Sequence, residues 1–349
     1  MSTNSINKTS TNNHIGKSSI LLPSPVYIKD YSSTVGTKEG QGPLGSYFDH
    51  ISEDLMFGGD NFEDAESKMI ASNINNLLQK TSLSKDQIDY ILAGDLLGQL
   101  IASSFGLKDF DIPLFGLYGA CSTFGEAMSL ASILVSGGFA RNVIASASSH
   151  FASAEKTFRF PLDYGSQRKF SSTWTVTGCG SVIISNDKTD AKAMITKITP
   201  GKIVDFGHKD KENMGACMAP AAADTIYQHL VDFGIEPTYY DYIFTGDLGY
   251  IGQTILIDLL KEKGYDISPV HKDCGILMFD KDVQDTNAGA SGCGCSASVF
   301  CSYIINELIN KNFKRILLIP TGALLSPVSS NEGNSVPGIA HAVSIESID

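Results

Sequence analysis

The chain has 349 residues and a formal net charge of −12; 42% of the residues are hydrophobic and 18% are charged. This is the composition of a globular protein long enough for two core units, and the acidic balance argues against the basic face that a nucleic-acid partner needs. No apolar run approaches the roughly eighteen residues of a membrane span. The polar stretch Met1–Ser19 lacks an apolar segment, so we predict a disordered arm, with no signal peptide and no transmembrane span.

Short apolar strands and helices then alternate along the chain. Residues 24–48 carry Gly and Pro and are predicted to be rich in loops, whereas 61–80 places its apolar residues on one helical face. A strand is predicted at 88–93. The apolar run 112–117 leads through small residues and Cys121 into a helical pattern from 122 to about 135, which predicts a strand, a tight turn and a helix.

Cys121 is the first candidate for chemistry because of its place at this turn. Free backbone N–H groups and the positive end of a helix dipole would favour its thiolate, and Gly119 and Ala120 leave room above the sulfur. The functional interpretation is a nucleophile. The alternative is a small buried cysteine that fills a contact between helix and sheet.

Two phrases of the sequence recur in the same order. Asp89–Leu96 matches Asp241–Leu248 at a separation of 152 residues, and Cys121 and Phe139 match Cys295 and Phe313, both at 174. Such a repeat indicates a duplicated β-α-β unit with largely parallel strands. We therefore predict an α/β fold of two halves, at 20–190 and 191–349.

In such folds, sites form beyond the carboxyl ends of strands. This rule predicts that four parts of the chain surround one cleft: Asp95, Cys121, Asp247 and the turn that carries Cys293 and Cys295. The favoured alternative for both aspartates is a helix cap or a turn bond to their own backbone.

The segment 151–170 is an excursion without a counterpart in the second half. It carries Arg159 and several aromatic residues, a combination that suits a planar aromatic anion, and His150 precedes it at a predicted strand end. The alternatives are a surface flap or dimer arm for the excursion and a structural role for the histidine.

The duplicated halves and the cysteine turn resemble the thiolase superfamily. More closely, the chain from about residue 20 resembles the stage V sporulation protein AD family of spore-forming bacteria, on phrases that include Gly119–Thr123, Met218–Thr225 and Thr321–Pro327. The resemblance implies a five-layered α-β-α-β-α fold. It also implies binding of dipicolinic acid (pyridine-2,6-dicarboxylate) and support of its uptake into the developing spore, together with other proteins of the same spore membrane transport system.

The sequence departs from the condensing enzymes of that superfamily at two places. Where they carry a catalytic histidine, this chain reads Thr245–Leu248, and where they carry an asparagine or second histidine it reads Gly292–Gly294. An aspartate near the thiol would raise the pKa of Cys121 and repel a developing enolate. We therefore expect a binding protein; the alternative is an active acyltransferase or condensing enzyme that uses Cys121.

The remaining expectations concern ligands and assembly. Dipicolinate would be bound by residues drawn from Asp95, Cys121, His150, Arg159, Asp247, Cys293 and Cys295. We expect no cofactor, although calcium could accompany the ligand, and a zinc site at His271, Cys274, Cys293 and Cys295 lacks a standard spacing. The resemblance implies a homodimer, peripheral at the inner spore membrane through its partners.

Overall fold

The structure is a computed structural model and describes residues 13–81, 83–158 and 168–348. The strands are β1 (His14–Ile15), β2 (Ser19–Val35), β3 (His50–Ile51), β4 (Tyr90–Gly94), β5 (Leu114–Gly116), β6 (Asn142–Ser149), β7 (Trp174–Thr175), β8 (Gly178–Ser185), β9 (Ala193–Thr199), β10 (Tyr242–Thr245), β11 (His271–Asp273), β12 (Ala290–Ser291), β13 (Arg315–Ile319), β14 (Thr321–Ala323), β15 (Gly338–Ala340) and β16 (Ala342–Glu346). The helices are α1 (Thr37–Gly40), α2 (Phe62–Lys80), α3 (Ile101–Leu107), α4 (Thr123–Ser136), α5 (Phe151–Phe158), α6 (Met214–Phe233), α7 (Gly249–Glu262), α8 (Cys274–Met278), α9 (Lys281–Gln284), α10 (Cys293–Val299), α11 (Ile305–Ile309) and α12 (Pro327–Asn331), with a π-helical stretch at Phe300–Ile304 between α10 and α11.

The main sheet repeats one strand order in the two parts of the chain. It runs β5-β4-β6-β8-β2 and then, through the same β2, β9-β16-β13-β10-β11. In each part the three outer strands are parallel to one another. Each of the next two strands pairs antiparallel with the strand before it. The duplicated halves predicted from the recurring phrases are therefore present in the fold.

Helices cover both faces of each half-sheet and complete five layers. α2 and α3 pack on the outer face of the first half, α6 and α7 pack on the outer face of the second, and α4 and α10 lie between the two. Apolar periodicity explains this placement, since Met69, Ile74 and Leu77 of α2 all face the core. The central layer brings the starts of α4 and α10 together.

Residues 13–19, which were predicted to belong to a disordered arm, contact the rest of the chain. His14 and Ile15 pair with the start of β2, and the Asp232 carboxylate at the end of α6 accepts hydrogen bonds from the backbone N–H groups of residues 17, 18 and 19. Disorder up to Ser19 was therefore the wrong prediction for residues 13–19, because a distant carboxylate satisfies this polar backbone. Within the described ranges, no helix has the length and apolar character needed to cross a bilayer.

Candidate functional site

The turn before α4 is held by short hydrogen bonds among its own residues. Ala120 has a left-handed backbone with φ of 50°, and its carbonyl accepts a hydrogen bond of 2.7 Å from the Thr123 hydroxyl. The Ser122 hydroxyl donates to the carbonyl of Gly119 at 2.6 Å. Cys121 is thereby fixed at the start of the helix, as the strand-turn-helix pattern predicted.

The Cys121 side chain is buried and faces a carboxyl group. Only 6% of the residue is exposed, its thiol is hydrogen-bonded to Asp247, and the backbone N–H of Gly292 also points at the sulfur. Burial, and then the charges of Asp247 and Cys293, raise the pKa of Cys121 well above its usual value. The predicted preference for the thiolate is therefore wrong, because one N–H donor does not offset burial beside a carboxyl group.

Asp247 connects three segments from the two halves of the fold. Its Oδ1 accepts a hydrogen bond of 2.8 Å from the Thr321 hydroxyl, and its Oδ2 accepts one of 3.0 Å from the N–H of Gly292. The residue is 1% exposed, and burial raises the pKa of its carboxyl to about 7. Asp247 is thus a buried acid that titrates near neutral pH, in contact with the Cys121 thiol.

Cys293 and Cys295 lie in the first turn of α10 and are fully buried. The Cys293 thiol donates to the carbonyl of Ala120 at 2.9 Å, and the Cys295 thiol donates to the carbonyl of Gly246 at 3.5 Å. Burial raises the pKa of both thiols well above the usual value. These two contacts tie α10 to the Cys121 turn on one side and to the Asp247 turn on the other.

Asp95 occupies the position in the first half that Asp247 occupies in the second. It is fully buried, and its carboxylate accepts hydrogen bonds from the N–H of Leu97 at 2.8 Å and from the N–H and hydroxyl of Ser103 at 2.8 and 2.6 Å. These contacts brace the turn after β4 and the start of α3. They agree with the alternative interpretation of Asp95, in which the side chain bonds the backbone of its own turn instead of a ligand.

His150 uses both ring nitrogens for local contacts. Nε2 lies 2.8 Å from the carbonyl of Leu55, and Nδ1 accepts a hydrogen bond of 3.2 Å from the N–H of Ala152. Burial lowers the pKa of the ring, so the histidine is neutral near pH 7. Arg159, the other cationic candidate, lies outside the described residues.

A narrow recess opens beside Cys121, with a cavity volume of about 60 Å³. The described residues that line it come from both halves and are mostly apolar: Leu96, Tyr118, Ala120, Cys121, Ala154, Thr157, Thr175, Met214, Ser291, Gly292, Ala323, Leu325 and Pro327. Polar atoms come from the Tyr118 phenol and from the Thr157, Thr175 and Ser291 hydroxyls. The Thr157 hydroxyl donates to the carbonyl of Ala154 at 2.7 Å and the Thr175 hydroxyl donates to Glu155 at 3.1 Å, so the recess offers apolar walls and the hydroxyl donors of Tyr118 and Ser291 around one thiol.

Comparison with known proteins gives the family. The family model for "Stage V sporulation protein AD (SpoVAD)" matches residues 16–346. Stage V sporulation protein AD of Bacillus subtilis (strain 168) is 43% identical over 331 residues, which cover 95% of this chain and 97% of that protein. The chain belongs to this family.

Solved structures with the same fold are enzymes of the thiolase type. 3-Oxoacyl-[acyl-carrier-protein] synthase III of Aquifex aeolicus VF5 is similar with a TM-score of 0.56 and 13% identity, over 92% of this chain and 99% of that one. Human mitochondrial 3-ketoacyl-CoA thiolase is similar with a TM-score of 0.56 and 13% identity, over 94% and 99%. At this identity the likeness shows the fold alone, and it confirms the thiolase-like architecture.

Several side chains of the site were not predicted from the sequence. Asp273 accepts four hydrogen bonds at the end of β11, from the Thr245 hydroxyl and from the N–H groups of Leu248, Gly249 and Ile276. Thr175 and Tyr118 reach the recess from β7 and from the turn after β5. A strand that ends in an aspartate was the available signal for Asp273, whereas nothing in the repeat pointed to Thr175.

Among the described residues that line the recess there is no histidine and no asparagine. In the part of the chain that the structure describes, no three His, Cys, Asp or Glu side chains are grouped so as to hold a metal ion. His271, which was considered as a zinc ligand together with three cysteines, instead contacts the Thr245 hydroxyl and Gln253 through its ring nitrogens. Whether calcium accompanies a ligand stays a prediction.

Proposed function

We propose that this stage V sporulation protein binds dipicolinic acid at the recess beside Cys121, without catalysis, and supports its uptake into the developing spore. Membership of the stage V sporulation protein AD family supports a role in sporulation. The resemblance that the sequence carries supports the ligand. The recess supports the mode of binding, because its walls suit a flat ring and its hydroxyl groups suit carboxylates.

The observation that carries this proposal is the partner of the Cys121 thiol. A cysteine nucleophile needs a base or a cation that favours its thiolate, whereas the carboxyl of Asp247 and burial both favour the protonated thiol. A condensation also needs donors that stabilise an oxyanion or enolate. A carboxyl that titrates near pH 7 repels such a charge once it is ionised.

In this proposal the ring of dipicolinate contacts apolar walls such as Leu96, Met214 and Leu325, and its carboxylates accept hydrogen bonds from Tyr118 and Ser291. Arg159 is proposed as an additional cation, because α5, whose Ala154 and Thr157 line the recess, leads into that part of the excursion. Calcium, where it accompanies the ligand, would balance the charge of the dianion.

Calorimetry with the purified protein tests the proposal. We expect a heat of binding from dipicolinate in calcium-free buffer or with calcium, and weaker binding by Cys121→Trp, which fills the recess. Cys179→Ala is the matched control, since Cys179 is also fully buried but lies in β8 away from the recess. An absence of heat at millimolar ligand in both buffers would contradict the proposal, and a stable mass increase with acyl-CoA would favour the acyltransferase alternative.

We also propose a homodimer that docks on other proteins of the transport system at the inner spore membrane. The dimer proposal is supported by the edge strand β5, whose side chains Leu114 and Phe115 are 38% and 50% exposed, and by Phe105 of the adjacent α3 at 57%. An exposed apolar edge strand is a surface that proteins normally cover. Light scattering should report twice the chain mass, and Phe115→Glu should halve it; a monomeric parent protein would contradict the dimer.

A further inference from the structure

The acid behind the recess is placed where it responds to charge in the recess. Cys121 and Gly292 both line the space, and the Asp247 carboxyl is hydrogen-bonded to the thiol of the first and the N–H of the second. With 1% of the residue exposed, little water separates it from a group seated on those two residues. A negative charge on Asp247 therefore acts strongly on an anion in the recess.

The titratable groups that face Asp247 come from every element around it. They are Cys121 before α4, Cys293 and Cys295 of α10, Cys274 of α8, and Asp273 at the end of β11. None of these five is a cation, and burial keeps the four thiols protonated. Asp273 has four donors for its carboxylate, so of the two neighbouring acids it is the one better able to hold a charge.

We propose that an anionic ligand enters the recess together with one proton, which is held by Asp247. This inference rests on the proposed function and specifies the protonation state of the protein that binds the ligand. The protein binds the dipicolinate dianion only while the Asp247 carboxyl is neutral. A ligand carboxylate beside Cys121 and Gly292 replaces the charge that Asp247 would otherwise carry, because two buried anions repel each other and none of the described residues that line the recess is a cation. The ligand itself stays doubly anionic near neutral pH, so the proton comes from solvent and goes to the aspartate.

The size of the effect follows from linkage. Without ligand, burial already raises the pKa of Asp247 to about 7, and the bound anion raises it further. Binding should then take up about 0.9 proton at pH 8 and about 0.1 at pH 6, and the affinity should fall about tenfold from pH 6 to pH 8.

The test is calorimetry of dipicolinate binding at pH 6, 7 and 8 in calcium-free buffers of different ionisation heat. In the parent protein, the number of protons taken up should rise with pH as given above. Asp247→Asn should bind at pH 8 as tightly as the parent protein binds at pH 6, and should take up no proton. Glu126→Gln is the control, since burial also raises the pKa of Glu126 but its side chain does not line the recess.

The outcomes separate the two proposals. Measurable binding without proton uptake at pH 8 overturns this inference and leaves the proposed function standing. No heat at any pH overturns both. Because proton uptake is read on the parent protein, the result does not depend on whether the asparagine variant folds; if it does fold and keeps the pH dependence of the parent, Asp247 is not the proton acceptor.

Discussion

Replacement of Asp247 by asparagine should make Cys121 reactive. Burial is the larger cause of the raised pKa of Cys121 and remains in the variant; the substitution keeps the size of the side chain and removes the second cause, the charge of Asp247. Two unit charges about 4 Å apart interact by about 4 kcal/mol at the effective dielectric constant of a protein site, which corresponds to roughly 3 pKa units. After a discount for the weaker hydrogen bond of an amide, we expect the pKa of Cys121 to fall by about 1–3 units.

The measurement is timed alkylation by iodoacetamide, read for each cysteine by peptide mass spectrometry. At pH 8 the Asp247→Asn protein should label Cys121 at least about tenfold faster than the parent, because rate follows the thiolate fraction. At pH 6 the ratio should shrink, since most of the parent carboxyl is then protonated. Cys179 and Cys301 are buried and do not line the recess, so they report global unfolding.

A Cys121 rate within about twofold of the parent at pH 8 would refute the reasoning. Equal acceleration at Cys179 and Cys301 would show instead that the variant has unfolded, and the comparison would then be repeated with Thr321→Val, which removes a hydrogen bond to Asp247 and leaves its charge in place. That variant should raise the pKa of Asp247, so less of the carboxyl is charged at pH 8 and Cys121 should be labelled slightly faster than in the parent, but more slowly than in Asp247→Asn.

Three further predictions concern stability. Phe124→Ala should cost about 3–5 kcal/mol in urea unfolding, because Phe124 is fully buried between the half-sheets against Phe300. Asp232→Ala should cost about 1–2 kcal/mol and speed hydrogen exchange at residues 17–19, whose N–H groups lose their acceptor. Burial raises the pKa of Glu66 from 4.5 to about 8, so the folded protein holds a proton that the unfolded chain has lost, and stability falls as pH rises through that window. Glu66→Gln should reduce this slope, to which Asp247 and Glu39 also contribute because burial raises the pKa of each to about 7. Unfolding at pH 5 and pH 8 measures the slope, and an unchanged slope would contradict the prediction.

The recurring phrases predicted the architecture because each phrase lies at the end of the same strand or the start of the same helix in both halves. The separations of 152 and 174 residues placed Asp95 and Asp247, and Cys121 and Cys295, at matching strand and helix ends, and the sheet has that order in both parts. Part of the predicted grouping is present, since Asp247 contacts the Cys121 thiol and Cys293 contacts the carbonyl of Ala120, whereas Asp95 is bonded to Leu97 and Ser103.

Two features could not be read from the sequence. Residues 24–48 were predicted to be rich in loops because of the Gly and Pro residues at 40–45, whereas β2 extends through the first part of that range. Pro23 and Pro25 are accommodated in β2 because they lie where the register against β9 breaks, between Leu21 and Val26, so their missing N–H groups cost no ladder bond. For Cys121, the preference for the thiolate expected from the helix start is contradicted, whereas the pKa raised by a nearby aspartate was expected; the larger cause, burial, depends on what packs above the turn. The sequence shows the helix start, whereas α10 and Asp247 decide the pKa.

β2 has a consequence for how the two repeats depend on each other. Its first part pairs with β9 and its last part with β8, so a single strand closes both half-sheets. A fragment that starts at residue 191 would leave β9 as a bare edge, open to pairing with other chains. The two halves are therefore unequal in their dependence: the first half contains β2, whereas the second half needs that strand from the first to complete its sheet.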